Sequence, residues 1–106
     1  MAAVDYIDAQ RLRADLADGL LGVFEDHDVL AMPTVPVGAP LTADFARHLL
    51  LLSRNAIPWS LIGFPAVSVP CGLAGRLPVG LQLVAPPWRE DLLVALGSAL
   101  QATLTP

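Results

Sequence analysis

The 106-residue sequence has few charged residues and no lysine. Only 15% of its residues are charged, whereas 55% are hydrophobic, and the formal net charge is -4. An ordinary soluble domain carries roughly 25% charged and 45–50% apolar residues, so this chain is short of residues that form a polar surface. The composition excludes a disordered chain. It predicts apolar surface that other polypeptide has to cover.

The scarce basic residues and the single cysteine exclude further classes of protein. All basic residues are arginines, and they form no clustered basic face of the kind that binds nucleic acid. Cys71 cannot form an internal disulfide, which favours a cytoplasmic location. Residues 55–75 carry no charge, but prolines and glycines interrupt them too often for a membrane-spanning helix. We therefore expect no nucleic-acid partner and no membrane association.

Apolar spacing at the start of the chain predicts a helix followed by a buried strand. Leucines recur every four residues within a helix predicted over about 5–26, with Asp5 as its N-cap. The short apolar run 29–32 lies just before a proline-rich loop and predicts a strand.

A second helix is predicted over about 42–54, with Thr42 as its cap. Four successive leucines at 49–52 point to all sides of this helix, so we expect neighbouring elements to enclose it.

The second half of the chain is rich in β-forming residues. The segment NAIPWSLIGFP (55–65) predicts a link made of turns. AVSVPCG (66–72) and PVGLQLVAP (78–86) predict two strands joined by a short turn and covered on both faces. Pro70 cannot donate to a sheet, so it belongs at a strand end or on an unpaired edge. A last helix is predicted over 89–104.

The residues capable of chemistry do not form a self-sufficient active site. The two histidines are too far apart in sequence for a metal pair on one helix, and no phosphate-binding loop is present. One hypothesis, a small hydrolase, would use Ser60 or Cys71 as the nucleophile with His48 as the base. Against it, Cys71 has no base nearby in sequence and is more typical of a small buried side chain.

Four motifs occur in an order that resembles the C-terminal part of an amidase-signature enzyme. They are DYIDAQRLR (5–13), DVLAMPTVPVGAP (28–40), GFPAVSVPCG (63–72) and LPVGLQLVAP (77–86), the last followed by a helix. The resemblance implies the C-terminal portion of an α/β fold, in which the strands of a mixed sheet are flanked by helices. It implies that residues 1–106 form a single partial domain.

The resemblance also implies a function for the complete enzyme. Such enzymes hydrolyse the C–N bond of amides with a lysine and two serines, or supply ammonia from glutamine within an amidotransferase, and they need no cofactor. The catalytic residues lie upstream of the matched segment, so no catalytic residue and no metal ligand is assigned here. We therefore expect a fragment that is inactive alone. Its expected partners are the N-terminal amidase portion, or other copies through exposed apolar strands, with a small amide as substrate only in the complete enzyme.

The segment RNAIPWSLIGFP (54–65) stands where many relatives have R-N-T-x-P-F-N-x-x-G-x-P. This match gives the substrate-pocket candidates Arg54, Asn55, Trp59 and Ser60. The alternative is that Trp59 belongs to the core and Arg54 pairs with an acid. An aspartate and a threonine often precede this link in the amidotransferases of the family, where Ser53 and Ala56 stand here, which favours a general amidase.

A hypothesis of a different class keeps the scaffold without the chemistry. The chain would then be a non-catalytic structural or interaction module, which predicts a well-defined oligomer that covers the exposed strands.

Overall fold

The structure, a computed structural model, describes residues 2–104. Within this range the chain forms four α-helices and three β-strands. In chain order they are α1 (Ala3–Leu21), β1 (Leu30–Pro33), α2 (Phe45–Ser53), α3 (Ile57–Ile62), β2 (Ala66–Ala74), β3 (Leu77–Val84) and α4 (Glu90–Leu104). No helix of the described range is long and apolar enough to cross a membrane.

The predicted first helix is confirmed, but its cap is not Asp5. The extended residue before the helix is Ala2, and Asp5 lies in the first turn, where a carboxylate interacts favourably with the helix dipole. The helix ends at Leu21 and tightens into a 3-10 turn over Gly22–Glu25. No residue of α1 is fully buried.

The predicted helix over 42–54 is present in two parts. Thr42–Asp44 form a 3-10 turn, and α2 follows it, so Thr42 lies a full turn too early to cap the α-helix. The residue before α2 is Asp44, whose carboxylate pairs with Arg47 at 3.6 Å instead of capping the backbone. The expected enclosure of the four leucines is not met, because Leu50 is 83% exposed.

The segment predicted as a turn-rich link contains the short helix α3. Pro58 lies in the first turn of α3, where the missing N–H is not needed for an intrahelical hydrogen bond. Gly63 ends the helix with a φ of 80°, a left-handed conformation that glycine adopts without steric cost. The prediction was wrong because a proline near the start and a glycine just after the end mark a helix as well as a loop.

The three strands form one antiparallel sheet in the order β1-β3-β2. Gly75 and Arg76 make the turn between β2 and β3, which confirms the predicted strand pair. Pro70 lies on an edge strand of this sheet, as predicted, next to an irregularity between Pro70 and Gly72. Helices pack on the sheet, which confirms the α/β class.

Alternate residues of β3 and the chain after it enter two apolar clusters, one on each face of the sheet. Leu83 and Ala85 pack with Val69 and with Leu93 of α4. On the opposite face, Val84 packs with Trp59 and Phe64, and the half-buried side chains around them come partly from α1 and β1. The expected coverage of both faces is therefore met at the base of the hairpin.

The far end of the hairpin and the flat outline of the molecule leave much apolar surface uncovered. Leu73, near the hairpin turn, is 68% exposed. The radius of gyration is 16.3 Å, whereas a compact domain of this length has about 13 Å. The accessible surface is 7529 Å², about 1,800 Å² more than the roughly 5,700 Å² of a compact monomer of this mass.

Candidate functional site

Asn55 joins the helical segment to two strands. Its side-chain Nδ2 donates a hydrogen bond of 2.8 Å to the carbonyl oxygen of Pro33, at the end of β1. The side-chain Nε2 of Gln82 in β3 donates to the backbone oxygen of Asn55, also at 2.8 Å. Gln82 is 5% exposed, so this bond provides its amide with a partner inside the protein. The junction between α2 and α3 is thus held against the sheet by two specific polar contacts.

Trp59 lies on the inner side of α3. Its side chain is 8% exposed, and its ring stacks on Phe64 with a centroid distance of 6.4 Å and an interplanar angle of 29°. Phe64 in turn contacts Phe24 at a centroid distance of 5.9 Å. The indole Nε1–H of Trp59 is buried without a hydrogen-bond partner among residues 2–104. An unpaired buried donor is unfavourable by about 1–3 kcal/mol, so this N–H needs an acceptor.

Arg54 and Ser60 point away from this core. Both residues are exposed. Within the part of the chain described here, neither side chain forms a hydrogen bond, and Arg54 forms no ion pair. They are free to contact a molecule outside this chain. The four candidates therefore divide into an inner pair, Asn55 and Trp59, and an outer pair, Arg54 and Ser60.

A second polar contact, which the sequence analysis missed, crosses the sheet at Gly80. The hydroxyl groups of Thr34 and Ser68 hydrogen-bond to each other. A Cβ atom added to Gly80 would lie 2.5 Å from the Ser68 Oγ and 3.1 Å from the Thr34 Oγ1. Glycine at this position thus leaves the room in which the two hydroxyls meet.

Two open clefts lie elsewhere on the molecule. One, of about 200 Å³, lies between β2 and α4 and is lined by Ser68 and Ser98 among mainly apolar residues. The other, of about 330 Å³, lies between the loop after β1 and the β2–β3 hairpin, and Cys71 contributes to its wall. Neither of these two clefts is lined by any of the four pocket candidates.

The groups of the small-hydrolase hypothesis are not connected in the structure. The thiol of Cys71 donates to the backbone oxygen of Val79 at 3.6 Å. His48 uses its Nδ1 in a contact of 2.9 Å with the backbone oxygen of Asp44, one turn earlier in the chain. Within residues 2–104, no hydrogen bond joins His48 to Ser60 or Cys71. In the same range, no three side chains of the metal-binding types cluster.

Comparison with solved structures identifies proteins with the same arrangement of helices and strands. A crystal structure of an amidase superposes with a TM-score of 0.84 at 28% identity, over 98% of this chain and 26% of that one. The glutamyl-tRNA(Gln) amidotransferase of Thermotoga maritima, in its A-type polypeptide, superposes with a TM-score of 0.73 at 30% identity, over 83% of this chain and 20% of that one.

Curated sequences give similar relatives. The corresponding polypeptide of the glutamyl-tRNA(Gln) amidotransferase from Salinispora tropica is 38% identical over 95% of this chain and 21% of its own length. The fatty acid amide hydrolase of Arabidopsis thaliana is 37% identical over 94% of this chain and 18% of its own length. The chain thus spans about a fifth of the length of these relatives. The sequence profile of the Amidase family matches residues 1–94, and the chain therefore belongs to the amidase family.

Proposed function

We propose that this chain is the C-terminal segment of an amidase-signature hydrolase, a single partial domain over residues 1–106 that acts only with the rest of the fold. The observation that carries the proposal is the surface area of 7529 Å², which exceeds that of a compact monomer by about 1,800 Å². Apolar surface costs roughly 25 cal/mol per Å² in water, so even a few hundred Å² of it opposes folding by several kcal/mol. Such a surface fits a piece of a larger fold.

The division of chemistry follows from the residues present. The resemblance to amidase-signature enzymes implies a lysine and two serines that cleave the amide C–N bond, and this chain has no lysine. We assign the nucleophile and its proton-transfer groups to the remaining polypeptide. This segment supplies core strands and part of the wall of the substrate pocket. Ser53 and Ala56 stand where the amidotransferases of the family often have aspartate and threonine, which favours a small general amide over glutamine.

The four pocket candidates take different parts in this proposal. Arg54 and Ser60 are exposed, so their side chains can reach the polar groups of an amide substrate. Asn55 and Trp59 hold the wall in place, through the hydrogen bond to Pro33 and the stacking on Phe64.

The buried indole supports the same conclusion independently of surface area. The Trp59 Nε1–H has no acceptor among residues 2–104. A buried donor is paired in the great majority of native structures. We assign its acceptor to the part of the amidase fold that covers this side of α3.

Ammonia release measures the proposed activity directly. The purified chain alone should release no ammonia from small primary amides above a buffer blank. A chimera of the Arabidopsis fatty acid amide hydrolase, with this chain in place of its own matching segment, should hydrolyse a fatty acid amide. Turnover by the lone chain that survives in the Ser60→Ala and Cys71→Ala variants would contradict the proposal.

A non-catalytic interaction module is the second candidate, because the uncovered surface also fits a protein that binds a permanent partner. Size-exclusion chromatography at several concentrations separates the two. A module elutes as one sharp oligomer and leaves the chimera inactive. A segment of an enzyme elutes broadly alone and supports activity in the chimera.

A further inference from the structure

The sheet has two outer edges, one on β1 and one on β2. The backbone N–H of Thr34 donates to the oxygen of Gly80 at 3.0 Å, and that of Ala85 donates to the oxygen of Pro65 at 3.1 Å. In antiparallel pairs, hydrogen-bonded residues alternate with residues whose N–H and C=O point the other way. The registers then direct the backbone groups of Ala31 outward from β1, and those of Ala66 outward from β2.

The outer edge of β2 is interrupted. Pro70 stands at an outward position and has no N–H to donate. The pairing register shifts between Pro70 and Gly72, and Gly72 has a φ of 140°. Prolines and bulges are the features that keep an edge strand from pairing with further strands. This edge is built to remain an edge.

The outer edge of β1 lies next to uncovered apolar side chains. Asn55 binds the carbonyl oxygen of Pro33, which places the junction of α2 and α3 beside the end of this strand. Leu49 and Leu50 of α2 are 48% and 83% exposed, and Ile57 at the start of α3 is 52% exposed. A strand added to β1 would therefore lie beside a surface that itself needs cover.

The size of the uncovered surface indicates what occupies this side. A standard protein interface buries about 800 Å² on each partner, and obligate interfaces bury more. The excess of about 1,800 Å² over a compact monomer is in the obligate range, and this chain spans only 21% of the length of a relative. We propose that the outer edge of β1, with the exposed apolar side chains of α2 and α3 beside it, is where the rest of the amidase fold adds a strand. This inference rests on the proposed function and adds the edge that is used.

Two matched proline substitutions test the edge. Ala31→Pro and Ala66→Pro each remove one outward N–H from an exposed alanine, on β1 and β2 respectively. The probe is the Arabidopsis fatty acid amide hydrolase lacking the segment that matches this chain, with binding measured by biolayer interferometry. Ala31→Pro should weaken binding by about tenfold or more, the effect of one lost hydrogen bond and its unpaired carbonyl. Ala66→Pro should change it by less than about twofold.

Hydrogen exchange on the unsubstituted chain gives a second measurement that does not depend on how either variant folds. The amide of Ala31 should gain protection when the probe binds, and the amide of Ala66 should not. Equal protection at both, or protection at Ala66 alone, would overturn the assignment of the edge and leave the proposed function intact. Protection of Ala31 in concentrated chain alone, unchanged by the probe, would assign the edge to a second copy. Failure of the unsubstituted chain to bind, together with an inactive chimera, would overturn the proposed function itself.

Discussion

Leu83 in β3 and Leu50 in α2 have the same side chain and opposite environments. Leu83 is 2% exposed and packs between Val69, Ala85 and Leu93. Leu50 is 83% exposed on a helix with four successive leucines. The sequence makes both regions equally apolar, so composition alone does not separate them. The difference shows that the β3 region forms its core from this chain, whereas the α2 region depends on polypeptide outside it.

The largest expected effect breaks the buried side of this comparison. Leu83→Ala removes a buried side chain from the cluster on the α4 face and should reduce the free energy of unfolding by about 2–5 kcal/mol. Urea unfolding of the dilute chain, followed by circular dichroism, measures the change. A loss below about 1 kcal/mol would mean that this region is not a fixed core.

Gly80→Ala should have the next largest effect, at the margin between the two regions. Its Cβ would lie 2.5 Å from the Ser68 Oγ, and such overpacking typically costs about 1–3 kcal/mol. Adding Ser68→Ala removes the clashing oxygen and should restore part of the loss in the same urea experiment. Gly19→Ala is the matched control, because its Cβ meets nothing within 4 Å and its helix should become slightly more stable. An equal loss at both glycines would contradict the close approach at Gly80.

Leu50→Ala tests the exposed side. In the isolated chain it should change the free energy of unfolding by less than about 0.5 kcal/mol, because the side chain is already in water. In the chimera with the Arabidopsis hydrolase, the same substitution should lower the melting temperature, since the rest of the fold covers α2. A large loss in the isolated chain, or no loss in the chimera, would remove the distinction between the two regions.

The smallest expected effect concerns the start of α4. Arg89 donates from Nε to the Asp91 carboxylate at 3.1 Å, and this bond, helped by the backbone N–H of Leu92, lowers the pKa of Asp91. A lowered pKa in the folded state stabilises the fold above the ordinary pKa of an aspartate, and that contribution is lost as pH falls through the lowered value. Since both side chains are exposed, its effect on stability should be minor.

Arg89→Gln should raise the pKa of Asp91 toward the ordinary value, as measured by an NMR titration of its carboxyl carbon. Arg47→Gln is the control, because Arg47 pairs with Asp44 and not with Asp91. An unchanged titration in Arg89→Gln would contradict the hydrogen bond.

The sequence predicts best where the signal is local. Leucine spacing predicts the first and last helices, and the glycine-containing segment between two β-rich runs predicts the hairpin. The helix over Ile57–Ile62 was missed because six residues are too few for a periodic pattern. The expected caps at Asp5 and Thr42 were wrong because the residues just before and after them shift where each helix begins.

The site is less predictable because its contacts join distant parts of the chain. Asn55 is part of a recognisable motif, but its partners Pro33 and Gln82 are 22 and 27 residues away. The only local sign of the Gln82 contact is one amide within an otherwise apolar strand. The hydroxyls of Thr34 and Ser68 meet across 34 residues, and Gly80 alone marks the space between them.

Sedimentation velocity of the chain, with and without the Arabidopsis hydrolase that lacks its matching segment, tests incompleteness most directly. We expect the lone chain to sediment as a broad, concentration-dependent distribution, because its apolar surface has no cover. With the truncated hydrolase, that distribution should give way to one species with the mass of a one-to-one complex. A sharp monomer at every concentration that forms no complex would contradict the account.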